Sequence, residues 1–249
     1  MVPEVAVPLT ALTFHTANDF VAPEDLIVLL SHSGADIVGL QELGERNAAA
    51  LAHCLEESYP YRILHGAYIN GKGLLSCHPI LAWERFSLAS GRPYIEARLA
   101  VGEQVVTVYV VHAPPGDIRR LEVVSRKGAR DIRMLLERAP LETPTLLLGD
   151  FNIVPGSHSY RVLRAAGLID TFRQAGTGWG ATSPTRYQSV PIPLPRLVRI
   201  DYIWATAHFV PLAGAVGPHI GSDHVLVRDL RVGLASPVSR PLQVTTEHA

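Results

Sequence analysis

The chain has 249 residues, 47% of them apolar, which is enough to bury a large core, and it carries a formal net charge of −1. That balance excludes a protein-wide positive field drawing in polyanions, so any nucleic-acid contact has to come from a local patch. Cys54 and Cys77 are the two cysteines and form no CxxC pair, which excludes a disulfide framework and a thiolate zinc site and points to a reducing compartment.

The first residues lack a basic segment followed by an apolar one, and no uncharged apolar run approaches membrane-spanning length. A soluble, unprocessed, cytoplasmic protein is expected. The first strand-length apolar run covers residues 9–14. Pro23-Glu24-Asp25 then opens a helix with acids in its first turn, and Ser33-Gly34 closes it. A strand at 37–40 precedes a helix at 47–57. Runs at 73–77, 80–83, 94–99 and 105–111 follow with no helix between them, which predicts antiparallel pairing. A helix at 117–138, a strand at 145–148 and a shorter helix at 157–166, ended by Gly167, come next. Residues 174–198 hold three glycines and four prolines and are too long for an ordinary connection, so they read as a functional or disordered loop. Strands at 200–204 and 225–230 complete the pattern; periodicity stops after Gly233, leaving 1–234 as one expected domain and 235–249 as a solvated tail. Alternating strands and helices with an antiparallel middle predict an α/β protein with a mixed two-sheet core flanked by helices.

The polar residues of interest stand at strand ends. Asn18 and Gln41-Glu42 follow the first two strands, His112 follows 105–111, and Asp150 with Asn152 follows 145–148. Asp201 starts the strand at 200–204, and Asp223-His224 precedes the last one. In layered α/β proteins the carboxyl ends of strands converge on one crevice, so residues distant in sequence can share a site. Each has a plainer reading taken singly. Glu42 could be a solvated helix-start acid, Asp150 an Asx turn with Asn152 as a cap, His112 a satisfied strand-end histidine, and Asp223-His224 a turn after Gly221-Ser222. Asp201 inside an apolar strand is harder to dismiss, because a buried carboxylate without a partner is costly. Their joint occurrence, in this order, is what the plainer readings leave unexplained.

Thr16-Ala17-Asn18, Gln41-Glu42, Gly149-Asp150-Phe151-Asn152, Arg199-Ile200-Asp201-Tyr202-Ile203 and Ser222-Asp223-His224 resemble, in order, the motifs of the endonuclease/exonuclease/phosphatase superfamily, which holds pancreatic-type DNase and exonuclease-III-like repair enzymes. The Gly-Asp-Phe-Asn and Ser-Asp-His elements are the specific ones, and the match spans roughly residues 9–231. The resemblance implies a four-layer αββα sandwich; a monomer is expected. It also implies roles: Glu42, supported by Asn18 and Asp223, would bind a metal, expected to be Mg²⁺ or Mn²⁺ because oxygen ligands suit a hard ion. Asp150 would orient and deprotonate the attacking water, and Asn152 would fix the nucleophile or a phosphate oxygen. His112 and His224 would donate to the non-bridging oxygens, with Asp201 holding one histidine in its tautomer. Such a set serves phosphoester hydrolysis, where in-line displacement needs charge neutralisation, a positioned water and donors around phosphorus.

DNA is the first expected substrate. Leu43-Gly44-Glu45 depart from DNA-cleaving relatives, which place a basic residue shortly after the glutamate. Phosphatase or phospholipase-type action on small or lipid phosphates is the alternative, and an inactive binding module of the same fold the remote one. Arg186 and Arg199 flank the long loop near Asp201 and are the expected substrate-binding cations; Trp179 and Tyr187 read as pins for that loop. His15, His32, His53, His65, His78, His158, His208 and His219 lack metal-ligand spacing to one another and read as structural or exposed. The basic run from Arg119 to Arg133 reads as a solvated helix face.

Overall fold

The computed structural model describes the backbone of residues 5–116, 125–184, 186–187, 190–193, 195–225 and 227–235, and side chains over most of these. The 235–249 tail and the first part of the 117–138 helix fall outside it except for Ala235 and for the helix from Arg126 onward, and the side chains of Arg186 and Tyr187 lie outside the described residues.

Two six-stranded sheets form the middle of the molecule. In the first, β1 (Val5–Asn18) pairs in parallel with β2 (Ile37–Leu43), and β4 (Lys72–Ser76) and β3 (Tyr61–His65) extend that side antiparallel. On the other side of β1 lie β14 (Val227–Ala235) and then β13 (Phe209–Val216). The second sheet runs β5 (Ile80–Ser87), β6 (Pro93–Val101), β7 (Gln104–His112), β8 (Thr145–Asp150), β12 (Asp201–Ala205) and β9 (Ile169–Asp170). There β7 and β8 are the parallel pair, joined by a crossover through α3 (Arg126–Arg138).

Alternation along the strands sorts side chains into three cores. Leu9, Ala11, Ile37 and Leu74 of the first sheet meet Ala97, Val108, Leu146, Leu148 and Ile203 of the second between the two sheets. Leu12, Phe14, Val38 and Leu40, on the opposite face, pack under α1 (Pro23–Ser31) and α2 (Glu45–Cys54) through Leu26, Leu30 and Leu51. Tyr109, Leu147, Tyr202 and Trp204 pack under α3 and α4 (His158–Ala165) through Ile132, Leu135, Tyr160 and Leu163. Burying each such side chain is worth about 1.5–3 kcal/mol. The result is the αββα sandwich expected from the resemblance.

Local signals set the helix ends. Pro23 starts α1 with Glu24 and Asp25 in its first turn; Ser125 and Ser157 cap α3 and α4 by accepting from Gly128 N and Tyr160 N. Asp170 does the same for the short α5 (Thr171–Ala175), accepting from Arg173 N. The 174–198 loop includes a two-stranded ribbon, β10 (Arg186–Tyr187) with β11 (Val190–Pro193). Strands β3 and β13 were not expected from the sequence, and β14 continues to Ala235, past the Gly233 limit.

This topology positions the site. The carboxyl ends of β1, β2, β7 and β8 share one end of the sandwich, and β12, antiparallel to β8, begins there. His112 pairs with Asp150, and Asp150 with Asp201, so the three lie in one row across adjacent strands.

Candidate active site

The backbone at these strand ends leaves the regular ladder. Asn18 follows a register shift in the β1–β2 pairing, and Ala17, Asn18, Glu42 and Asn152 all have φ between +48° and +64°. A non-glycine residue there costs on the order of 1–3 kcal/mol, and four of them around one cluster mark a place where geometry overrides local preference. Gly149, at φ +148°, stands where an added Cβ would lie 1.9 Å from the Val111 carbonyl oxygen, so only glycine lets β7 and β8 approach beside Asp150.

Eight of the expected residues converge where the two sheets meet. On the first sheet, Asn18 Nδ2 donates to Glu42 Oε2 at 3.2 Å. On the second, Asn152 clasps Asp150 twice, its backbone N donating to Oδ1 at 2.8 Å and its Nδ2 to Oδ2 at 2.9 Å. His112 Nε2 stands 3.9 Å from Glu42 Oε1 and 3.8 Å from Asp150 Oδ2, bridging the sheets. His224 Nδ1 and Asp201 Oδ2 are 2.9 Å apart, and Ser222, whose hydroxyl accepts from His224 N, anchors that turn to β1 through the His15 carbonyl. Asp223 joins them less deeply, with its carboxylate one-fifth exposed.

Three further residues belong to the site. His15, on β1, is buried; its Nε2 lies 3.4 Å from Glu42 Oε1 and its Nδ1 3.6 Å from Asp223 Oδ1, and its ring stacks on His224 with centroids 4.3 Å apart. The expectation that it is one of eight background histidines is corrected. A usable signal was present: residues alternate along β1, so His15 shares a face with Leu9 and Ala11 at the strand's carboxyl end. Arg92, just before β6, places Nη1 2.6 Å from His112 Nε2 and donates to the Ala113 carbonyl at 3.3 Å. Lys72, at the start of β4, is fully buried, and its Nζ donates to the Gly71 carbonyl at 3.0 Å.

Arg199 is placed elsewhere. Its guanidinium donates to both oxygens of Asp170 at 2.7 and 2.6 Å and lies over the Tyr202 ring, so the role expected of it in substrate binding is corrected to a structural one. Beside it a cleft of about 430 Å³ runs past Val154, Phe172, Arg173, Leu197 and Trp179, the last of these 91% exposed.

Charge in the site is strongly coupled. Burial raises the Asp150 pKa, and the adjacent Asp201 raises it further; His224 and His15 oppose both, leaving it at about 7. Burial disfavours charge on His224, but Asp201, Asp150 and Asp223 outweigh burial and lift it to about 10. Burial also works to raise Glu42, yet His15, Arg92 and Lys72 hold it below its ordinary value. His112 is driven well below the usual histidine range, first by burial and then by Lys72, His15, Arg92 and His224. It is therefore neutral, and because arginine only donates, its Nε2 presents a lone pair to Arg92. Burial, reinforced by Arg92, brings Lys72 down to about 7.

The donor set fits a divalent cation. Asn18 Oδ1 and Asp223 Oδ1 are buried without hydrogen-bond partners, and Glu42 keeps an ionised carboxylate near them. Donor atoms of His15, His112 and Asp150, of His15, Asp223 and His224, and of Asp150, Asp201 and His224 each lie within 4.8 Å of one another. Unpartnered buried polar atoms are rare in folded proteins and call for an explanation, which a bound ion supplies.

Two mixed sheets between helices, with carboxylates, amides and histidines gathered at one end, define a class of α/β sandwich hydrolases. The family model described as "Endonuclease/Exonuclease/phosphatase family" matches residues 17–224, and the chain belongs to that family. Its fold is similar to that of an endonuclease/exonuclease/phosphatase from Beutenbergia cavernae DSM 12333, at 22% identity and TM-score 0.76, over 92% of this chain and 72% of that one. A second, from Bacteroides vulgatus, is 17% identical with TM-score 0.74 and covers 92% and 99%. A mannosyl-6-phosphatase from Bacteroides thetaiotaomicron VPI-5482 is 15% identical with TM-score 0.64 and covers 90% and 99%. Among curated proteins none matches the chain. No described helix is long and apolar enough to cross a membrane.

Proposed function

We propose that the protein is a divalent-metal-dependent phosphodiesterase, with DNA the first substrate to test. The observation that carries this reading is the juxtaposition of Glu42 and its unpartnered neighbours with the Asp150–Asn152 clasp and the Asp201–His224 pair. Glu42, Asn18 and Asp223 would hold the cation, which supplies charge neutralisation for the phosphoryl group.

The remaining roles belong to the chain's own side chains. Asp150, with a pKa near 7, is suited to accept a proton from water at neutral pH, and Asn152 fixes the carboxylate so that its oxygens present a constant direction. His224, kept protonated by Asp201, donates to a phosphoryl oxygen as negative charge grows there. His112, neutral and facing Arg92 through its Nε2 lone pair, positions that guanidinium; the donor role expected of His112 passes to Arg92.

A second reading, hydrolysis of small or lipid phosphates, is favoured by one observation: Arg199 is committed to Asp170, which removes one of the two cations expected to grip a DNA backbone. The test is hydrolysis of supercoiled plasmid, bis-p-nitrophenyl phosphate and p-nitrophenyl phosphate with Mg²⁺, with Mn²⁺ and with EDTA. Metal-dependent nicking supports the DNA reading, and an intact plasmid with a hydrolysed small ester moves the assignment to the second. Inertness towards all three would sink both.

A further inference from the structure

We infer that His15 is a nitrogen ligand to the cation, so that the site selects Mn²⁺ or another first-row transition ion over Mg²⁺. The inference rests on the reading of Glu42 as a metal ligand and deepens it.

Three observations carry it. First, His15 Nε2 lies 3.4 Å from Glu42 Oε1. Two atoms that share an ion at bond lengths of about 2.1 Å and right angles stand about 3 Å apart, and this pair is near that spacing. Second, His15 contributes a donor atom to two of the three groups of converging donor atoms, as Asp150 and His224 also do, and carboxylates stand 3.4 Å from its Nε2 and 3.6 Å from its Nδ1. Third, the ring is already held in place. It stacks on His224 with planes 19° apart and meets His112 edge-on, with centroids 5.2 Å apart. Asp223, facing Nδ1 at 3.6 Å, favours the tautomer with its proton on Nδ1, which leaves the Nε2 lone pair toward Glu42; in this arrangement Asp223 orients the imidazole, and His15 takes the ligand place given to Asp223 above.

Imidazole suits Fe²⁺, Zn²⁺ and other later first-row ions; Mn²⁺, the weakest of that series, still accepts a nitrogen ligand more readily than Mg²⁺, which demands near-ideal octahedral oxygen geometry and gives up water reluctantly. Of the two ions expected from oxygen ligands, a carboxylate–amide–imidazole set favours Mn²⁺ over Mg²⁺. His112 is a weaker candidate for the same role, because its Nε2 is already engaged by Arg92.

Pulsed electron paramagnetic resonance of the Mn²⁺-loaded full chain tests this directly. The wild type should show ¹⁴N coupling from a directly bound imidazole, replaced by ¹⁵N coupling when histidine is isotopically labelled. His15→Asn and His15→Gln, with folding checked by circular dichroism, should lose that coupling. Their Mn²⁺ affinity by calorimetry should fall by about 10- to 100-fold, with Mg²⁺ affinity changed less than about threefold. Coupling that persists in both variants, or a wild type that binds Mn²⁺ without it, overturns the assignment; failure to bind Mn²⁺ at all overturns it together with the metal site. Hydrolysis is scored separately. A protein that shows the coupling but cleaves no phosphoester keeps the ligand and loses the proposed function, and the converse result does the opposite.

Discussion

Two buried clusters of charge, one around Arg199 on the second sheet and one at the strand ends of both sheets, are built in opposite ways. Around Arg199, every group is matched: both Asp170 oxygens receive guanidinium donors, Asp170 Oδ2 also accepts from Tyr160, and Tyr202 donates to the Arg199 carbonyl at 2.9 Å. Around Glu42 and Asp150 the matching fails. Carboxylates crowd one another, four residues adopt left-handed backbone, and several buried atoms have no partner. The first arrangement stabilises a fold, because breaking it leaves an uncompensated charge. The second holds reactive groups in place at a cost in stability, as functional sites do.

This contrast can be broken at either end. The largest expected effect is on catalysis. Asp150→Asn removes the proton acceptor while preserving shape, so kcat for bis-p-nitrophenyl phosphate should drop by about 10²–10⁴-fold. The same change removes a buried carboxylate held near pKa 7, so the melting temperature at pH 8 should stay level or rise. A variant that keeps its activity would remove Asp150 from the mechanism.

Next comes the structural cluster. Asp170→Ala strands Arg199 in the interior and should lower unfolding stability in urea by about 3–5 kcal/mol, with kcat of the folded protein little changed. A stability loss below about 1 kcal/mol would show that the pair is not structural.

A smaller effect is expected with pH. The His224 pKa in the folded chain, about 10, exceeds its ordinary 6.5, so folding is favoured by its protonation. That contribution is complete below about pH 6.5 and is lost as pH climbs through 10. Lys72, lowered to about 7, has the opposite slope over the same range, so the difference between variants isolates the pair: relative to metal-free wild type, Asp201→Asn, lacking the carboxylate that holds the proton, should lose less melting temperature between pH 7 and 10. Equal slopes would refute the pair's role.

Much of this was legible in the sequence, and the gaps have physical causes. The row His112, Asp150, Asp201 stood out because polar residues at the ends of apolar strands have few reasons to be there. His15 was missed because histidines were judged by spacing to one another, although the carboxylates beside it come from β2 and the 223–224 turn. Arg92, just before β6, and Lys72, the first residue of β4, belong to antiparallel strands whose starts rather than ends face the site. Arg199 looked like a substrate contact because a sequence shows a cation without showing the carboxylate 29 positions away that will claim it. Among the strands, β13 carries Pro211 and Gly214, which blunt the strand signal, and β3 is short and half-exposed. Nor does any local preference announce the positive φ of Glu42.

The most direct test of the central claim is to strip the wild-type protein with EDTA and follow bis-p-nitrophenyl phosphate hydrolysis as Mn²⁺ is restored, with Glu42→Gln alongside. The account predicts no turnover without metal, full recovery on saturation, and no recovery at the same Mn²⁺ concentration in the variant. Turnover that survives metal removal, or a Glu42→Gln protein that recovers as the wild type does, would contradict it.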